Sequence, residues 1–540
     1  MTTTAQSNGH RRLPSPKDGT WKFVAFAAAF LSIVACIITF RAHAVLTYND
    51  AISHLQIARR TIDSTSPGAA QLGGVWLPLP HVLMIPFVWN DTLYYNGFAG
   101  SIVSMIANVV AVVLIYKITY RLTGKKFAGV VAAAVFGLNV NVLYMGSTPM
   151  TESLLFALIA GMVYCVQQWA DTRRHGYLLG AVVSSILATL TRYESWPILA
   201  ALVITVVLIA AVQNKVLLIE RYGAKKGKQL HRRRTVDRFI FFALLGSGGI
   251  MLWLTWNQII FGNALNFQGG DYAKPSLWLT SNEPAIGHLD VAIKTYWFAM
   301  VDNLSWPIML LAILGLIVLL VKEFPRRRNS FRSLPILAVL IIVPFFIASL
   351  YTGQRPLHVL QTTGDYYNVR FGLIMVIPAA IFIGYLCSVF PKRSGTDVAI
   401  IVATLSLVVG IFTLQQGTVA TYQDPHISGK QHINVIQDET ARFFKEHYTG
   451  GRVLVETFGS ERLVFKAVPP SKMVYEGSYQ QWEPSLKYPE SNHIRWIIMR
   501  CGSGPDKVCK TYKDGTVPGY KQVFRTKDGV YRVLELTKGV

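Results

Sequence analysis

Residues 21–40 read WKFVAFAAAFLSIVACIITF, and residues 41–60 continue RAHAVLTYNDAISHLQIARR. The first half carries one charge, Lys22, among its apolar and small residues. As a helix rising ~1.5 Å per residue, it covers a hydrocarbon core of ~30 Å. The second half turns polar at Arg41 and delivers Tyr48, Asn49, Asp50 and His54 just beyond the span. The apolar run is not a cleavable signal: it is about twenty residues long, lacks a small-residue cleavage site, and further apolar runs follow it.

Working outward, ten more apolar runs are long enough, or nearly so, to cross a membrane: roughly 97–117, 127–145, 151–170, 177–191, 196–213, 239–260, 303–321, 334–351, 371–390 and 397–415. The run at 177–191 is the shortest. The composition agrees. Of 540 residues, 52% are hydrophobic and 15% charged, with a mean hydropathy of +0.36. Soluble domains carry about a quarter charged residues. An ordinary soluble protein and a disordered chain are both excluded.

The net charge of +23 resolves by location. With the N-terminus inside and the spans alternating, the inside segments hold 26 Lys and Arg against eight outside before residue 416, and the other 18 follow. That is the positive-inside asymmetry, so nucleic acid is discounted as a partner. The run 229–234 (QLHRRR) reads as a solvated inside loop near anionic headgroups. The expected organisation is a cytoplasmic tail 1–20, a membrane module 21–415 with long outer loops 41–96 and 261–302, and an outer domain 416–540. Short alternating runs at 453–455, 473–475, 494–499, 520–524 and 531–536 make that last part a small α/β domain, with a hairpin turning at Lys527-Asp528-Gly529. Cys36, Cys165 and Cys387 fall in spans as packing residues; Cys501 and Cys509 are either a disulfide in an oxidising compartment or two free thiols.

Chemistry is sought where polar groups recur at one face. A helix is predicted from Asp50 to about Arg60. Asp50 serves as its N-cap or as a functional acid, and His54 shares its face, either as a hydrogen-bonded partner or as a second metal ligand. The segment 73–84, with Trp76, Pro78, Pro80 and His81, is too short to span and suits the interface. Glu152 opens a span, where an acid suits the helix dipole and an ionisable group is also a functional candidate. Arg192 and Glu194 close the fifth span, and Tyr367, Asn368 and Arg370 precede the tenth. Two arginines on the outer side either snorkel or bind phosphate, whose oxygens a guanidinium matches bidentately. No Walker loop, Rossmann glycine pattern, HExxH or Gly-x-Ser-x-Gly is present.

In their order along the chain, Tyr48-Asn49-Asp50, Trp76-Leu-Pro78-Leu-Pro80-His81, Met150-Thr151-Glu152, Thr191-Arg192 and Asn368-Val-Arg370-Phe371 resemble motifs of the GT-C superfamily of polytopic glycosyltransferases. The similarity is to the family-39 type, which includes protein O-mannosyltransferases and the lipid A aminoarabinose transferase, and it covers most of 20–390. Departures are visible. Asp50 is followed by Ala51 where many relatives have Asp-Glu, the Pro-rich motif lacks a Lys, and His81 follows its prolines rather than preceding them. The resemblance implies an all-α GT-C-like bundle of about eleven transmembrane helices in a prokaryotic plasma membrane, carrying the small outer domain. It also implies transfer of a sugar from a polyprenyl-phosphate donor to an acceptor hydroxyl on protein, glycan or lipid, with membrane lipids as the other partner. No cofactor and no metal ligand is assigned, and dependence on a divalent metal stays open. In that scheme Asp50 is the general base, Glu152 orients the acceptor or tunes Asp50, and Arg192 and Arg370 hold the donor phosphate. His54, Trp76, His81, Glu194, Tyr367 and Asn368 are assigned with them to substrate binding. A transporter or flippase of a lipid-linked glycan, and a non-catalytic membrane scaffold, are the competing readings.

Overall fold

The computed structural model describes residues 18–537 except 213–214, 278, 280–282, 324–329, 428–430, 503–505 and 514. Most of the expected tail 1–20 therefore lies outside the described residues. Each of the eleven apolar runs is helical. Among the described residues, nine helices are long and apolar enough to cross a membrane by themselves; Lys126–Gly137 and His175–Thr189 are shorter. Their outward faces are apolar, as lipid requires: Phe23, Phe26 and Phe30 on the first helix and Ile400, Ile401 and Phe412 on helix Lys392–Gln415 are exposed.

Three departures from the sequence expectation have local causes. The run 127–145 is divided, because the Asn139 side chain accepts from Val142 N at 3.0 Å and starts a new helix, Val140–Met145. The run 334–351 tightens to 3-10 geometry over Ala338–Ile341, where Pro344 cannot donate to the carbonyl four residues back. The expected outer loop 261–302 is a loop only in its first part. Leu289–Leu304 is a helix whose Ala292, Thr295, Tyr296 and Ala299 pack into the bundle, and the next membrane helix begins at Trp306.

One element positions the rest. The segment Val369–Ser388 is 94% buried over its apolar window, against 22–50% for most other spans. It is the central post, and the residue at its mouth is Arg370. The helix Glu152–Thr172 packs beside Phe98–Thr123 and His175–Thr189, so its first residue, Glu152, opens at the same end.

The C-terminal region folds as expected. Its five strands, β1 Arg452–Val455, β2 Met473–Val474, β3 Ile494–Arg500, β4 Tyr520–Arg525 and β5 Tyr531–Leu536, form one sheet in the order β2-β1-β3-β5-β4. β2, β1 and β3 are parallel, while β3-β5 and the β4-β5 hairpin are antiparallel. Period-two alternation divides the core. Trp496 and Ile498 meet Phe444 of helix Gln431–His447 on one face, and Ile497 and Met499 meet Trp482 and Leu486 on the other. Cys501 and Cys509 are disulfide-bonded. This domain sits on helix Asn49–Arg60: Gln56 donates to Glu461 O at 2.7 Å, and Arg60 lies 4.2 Å over the Tyr475 ring. The first long loop, the second long loop and the C-terminal domain thus share one end of the bundle.

Candidate active site

Helix Asn49–Arg60 starts one residue earlier than expected, with Tyr48 at the N-cap position. Asp50 is therefore not the cap. It lies inside the first turn, and its carboxylate is left free to look across the bundle end. Asp50 Oδ2 accepts from Arg370 NH2 at 2.6 Å. Arg370 Nε lies 3.1 Å from Glu152 Oε1. The same Oε1 accepts from Arg192 NH1 at 2.8 Å, and Thr151 Oγ1 accepts from that nitrogen at 2.9 Å. Arg192 then grips Glu194 through Nε at 3.3 Å and NH2 at 3.0 Å. Arg355 closes the row on Glu194 Oε1 at 2.9 Å.

The result is an alternating chain, Asp50–Arg370–Glu152–Arg192–Glu194–Arg355, with three formal charges of each sign. Its burial is deepest in the middle and relaxes at both ends, Arg355 being 25% exposed. Glu194 is 1% exposed, Glu152 3% and Arg370 7%, whereas the Asp50 side chain is 37% exposed. Asp50 is the member that a molecule from outside the bundle reaches first. Hydrogen-bonding capacity is left over. Glu152 Oε2 is buried with no partner, and Arg370 Nε meets Glu152 as an ion pair without hydrogen-bond alignment. Burial opposes ionisation of Glu194, but Arg192 and Arg355 overcome it and hold the carboxyl down to about 2.

The approach to Arg370 is shaped by backbone. Asn368 takes a left-handed φ of 57° and donates to Pro356 O at 3.0 Å, which turns the chain into the 3-10 segment Val369–Met375. Asp424 accepts from Val369 N at 3.0 Å from beneath. Tyr367 pairs with His358 through backbone bonds and rests its ring 5.8 Å from the imidazole. His358 bridges Glu283 at 2.8 Å and Asp365 at 3.0 Å, tying the second long loop to the one that carries Arg355.

On the other flank, His54 Nδ1 lies 2.9 Å from His81 Nε2, and Trp76 packs 4.6 Å from the His54 ring. Tyr193 donates to Val75 O at 2.6 Å, and Leu79 N donates to Leu190 O, so the Pro-rich segment is fastened to the loop bearing Arg192. His81 Nδ1 is buried without a partner. Leaving a bare acceptor there is less costly than leaving an orphan donor, which assigns the His81 proton to Nε2 and the His54 proton to its own Nε2. Burial first, then the charges of Arg192 and Arg370, push His54 down to about 3, so it stands neutral.

All five charged residues singled out from sequence (Asp50, Glu152, Arg192, Glu194, Arg370) meet in one network, with His54, Trp76 and His81 beside them. Tyr367 and Asn368 stay outside it and form the turn that carries Arg370. The expected Asp50–His54 pairing is not made, since each group is engaged elsewhere. Among the described residues no group of three or more His, Cys, Asp or Glu is placed to hold a metal ion. Sequence reasoning missed Arg355. It was visible only as one more arginine on the outer side, in the loop just before Pro356.

Residues 93–223 match the family model described as dolichyl-phosphate-mannose-protein mannosyltransferase. Among solved structures, the chain is similar to ArnT from Cupriavidus metallidurans bound to undecaprenyl phosphate, with a TM-score of 0.50 at 12% identity, covering 96% of this chain and 98% of that one. The apo form of the same protein gives 0.48 at 12% identity over 92% and 97%. The S. cerevisiae protein O-mannosyltransferase Pmt1-Pmt2 complex bound to the sugar donor gives 0.32 at 15% identity over 47% and 36%. No curated protein matches by sequence. With an ArnT-like fold over nearly its whole length and a match of residues 93–223 to the mannosyltransferase family model, the chain is a polytopic membrane protein that resembles the GT-C superfamily glycosyltransferases, of the kind represented by protein O-mannosyltransferases and ArnT.

Proposed function

We propose that this protein transfers a sugar from a polyprenyl-phosphate-linked donor to an acceptor hydroxyl, with inversion at the anomeric carbon. The observation that carries this is the convergence of Asp50, Glu152, Arg192 and Arg370, separated by up to 320 residues in sequence, into one row of ion pairs with spare hydrogen-bonding capacity. In the reaction, Asp50 takes the proton of the acceptor hydroxyl. The acceptor oxygen bonds to the anomeric carbon, and the bond from that carbon to the phosphate oxygen breaks. Its electron pair stays on the phosphate, which leaves as the polyprenyl monoester with one more negative charge than it brought. Arg370 and Arg192 face that growing charge, and an interaction that strengthens as charge develops lowers the barrier. The donor phosphate competes with Asp50 for Arg370, so donor binding itself releases the base. Glu152 holds the two guanidiniums at one spacing, and the neutral His54 offers an N–H one helical turn from Asp50.

We assign the site-bearing end to the extracytoplasmic side of a prokaryotic plasma membrane, with the N-terminus cytoplasmic and 416–540 as an outer domain. The support is the asymmetry of 26 basic residues against eight. The test is Asp50→Asn in membranes supplied with a panel of labelled polyprenyl-phosphate sugars. A positioned base contributes ~10²–10⁴-fold, so transfer falls by that range while the donor is still bound. Transfer at the unmodified rate removes Asp50 from the chemistry.

A further inference from the structure

At the opposite end of helix Glu152–Thr172, 21 residues and about 30 Å from Glu152, a second concentration of guanidiniums stands apart from the site above. Arg121, in the last turn of helix Phe98–Thr123, donates to Asp171 Oδ2 at 2.7 Å, and Arg332 donates to Asp171 Oδ1 at 2.8 Å. Those two cations already share one carboxylate. Arg173 closes the helix in a left-handed conformation, φ 61°, where a side chain costs energy that glycine avoids. Arg238, from helix Ala224–Gly246, lies with its guanidinium 5.7 Å from the centre of the Trp169 ring.

Helix C-termini attract cations through their dipoles, and that accounts for basic residues here. It does not account for unused donors. Trp169 is fully buried, yet its indole N–H has no partner. Arg121 is buried with one NH2 unpaired, and Arg173 has a buried NH1 unpaired. Buried donors of this kind are normally satisfied, charged ones above all. Three orphan donors lie beside guanidiniums that outnumber the nearby carboxylates, the chemistry by which an oxyanion is recognised. Phosphate accepts bidentate guanidinium bonds and a further N–H, which is the donor set found here. The cluster lies where membrane helices end, so a lipid phosphate is within its reach.

We propose that Arg173, Arg238 and Trp169, with the free edge of Arg121, bind a phosphate group at the membrane end opposite the charged network, supplied by a phospholipid headgroup or by a soluble phosphate. The full-length protein in detergent is titrated with dioleoylphosphatidylglycerol, with phosphate-free dioleoylglycerol, and with sodium phosphate at constant ionic strength, and its thermal unfolding is followed. The expected result is saturable stabilisation by phosphatidylglycerol but not by dioleoylglycerol. Its half-saturation point rises at least tenfold in Arg173→Asn, whose asparagine tolerates the left-handed turn, and severalfold in Trp169→Phe, which removes the N–H and keeps the ring. Saturable stabilisation by sodium phosphate, lost in the same variants, identifies the soluble source instead. Arg238→Gln gives the same readout should Arg173→Asn fail to fold. Equal half-saturation for the wild type and these variants with both phosphate probes overturns the proposal.

Discussion

Arg370→Gln separates the two roles proposed for one guanidinium, holding Asp50 and binding the donor phosphate. Arg370 bonds Asp50 at 2.6 Å and faces Glu152 at 3.1 Å from a position 7% exposed, so its loss leaves two carboxylates facing each other across the site. Breaking a buried pair costs about 3–5 kcal/mol. Asp50 is partly solvated, which moves the expected loss of stability toward the lower end. The catalytic effect is of similar size in free energy. Removing one donor that faces developing charge lowers turnover about 10²–10³-fold, or about 2.7–4 kcal/mol. The informative experiment is the double-mutant cycle with Asp50→Asn, read as single-turnover transfer from a polyprenyl-phosphate sugar in detergent. Where Arg370 binds phosphate in its own right, the double variant is slower than Asp50→Asn by a further ~10²-fold. Where it only positions Asp50, the double variant matches Asp50→Asn. Equality of those two variants, or wild-type turnover by Arg370→Gln, refutes the assignment of Arg370 to the donor phosphate.

Three further outcomes are expected. Glu194→Gln leaves Arg192 and Arg355 without their shared carboxylate and destabilises the protein by roughly 3–5 kcal/mol at pH 7. Because the folded carboxyl is held down to about 2, against 4.5 for the free side chain, that contribution is present above pH 4.5 and is lost as pH falls toward 2, so denaturant unfolding of the two proteins converges over this window. His54 runs the other way: folding holds it neutral to about 3 against 6.5 for the free side chain, so the unfolded chain takes up its proton first and stability falls as pH drops below 6.5. His54→Asn removes this limb, whose slope reaches about 1.4 kcal/mol per pH unit, and a pH series of unfolding midpoints that is parallel for both proteins contradicts it. Asn368→Ala places an alanine at φ 57° and deletes the bond to Pro356, costing about 1–2 kcal/mol and misaligning Arg370; Asn368→Gly restores more transfer activity than Asn368→Ala if conformation is what matters.

The membrane spans were legible because apolar length is a one-dimensional property. A run of twenty apolar residues crosses a bilayer whatever its neighbours do. The same holds for the β4-β5 hairpin, which a turn tripeptide marks locally. The Asp50 and Arg370 segments, 320 residues apart, were legible as candidates because charge at the end of a span is costly unless it is used. What the chain in one dimension could not determine was their partners. Arg355 looked like any outer arginine until the 352–368 loop folded it onto Glu194. Asp50 looked like a helix cap until the helix began at Asn49 and left its carboxylate for Arg370. Ion pairs fall off over a few ångströms, and only the packing of helices around the buried post Val369–Ser388 sets distances on that scale.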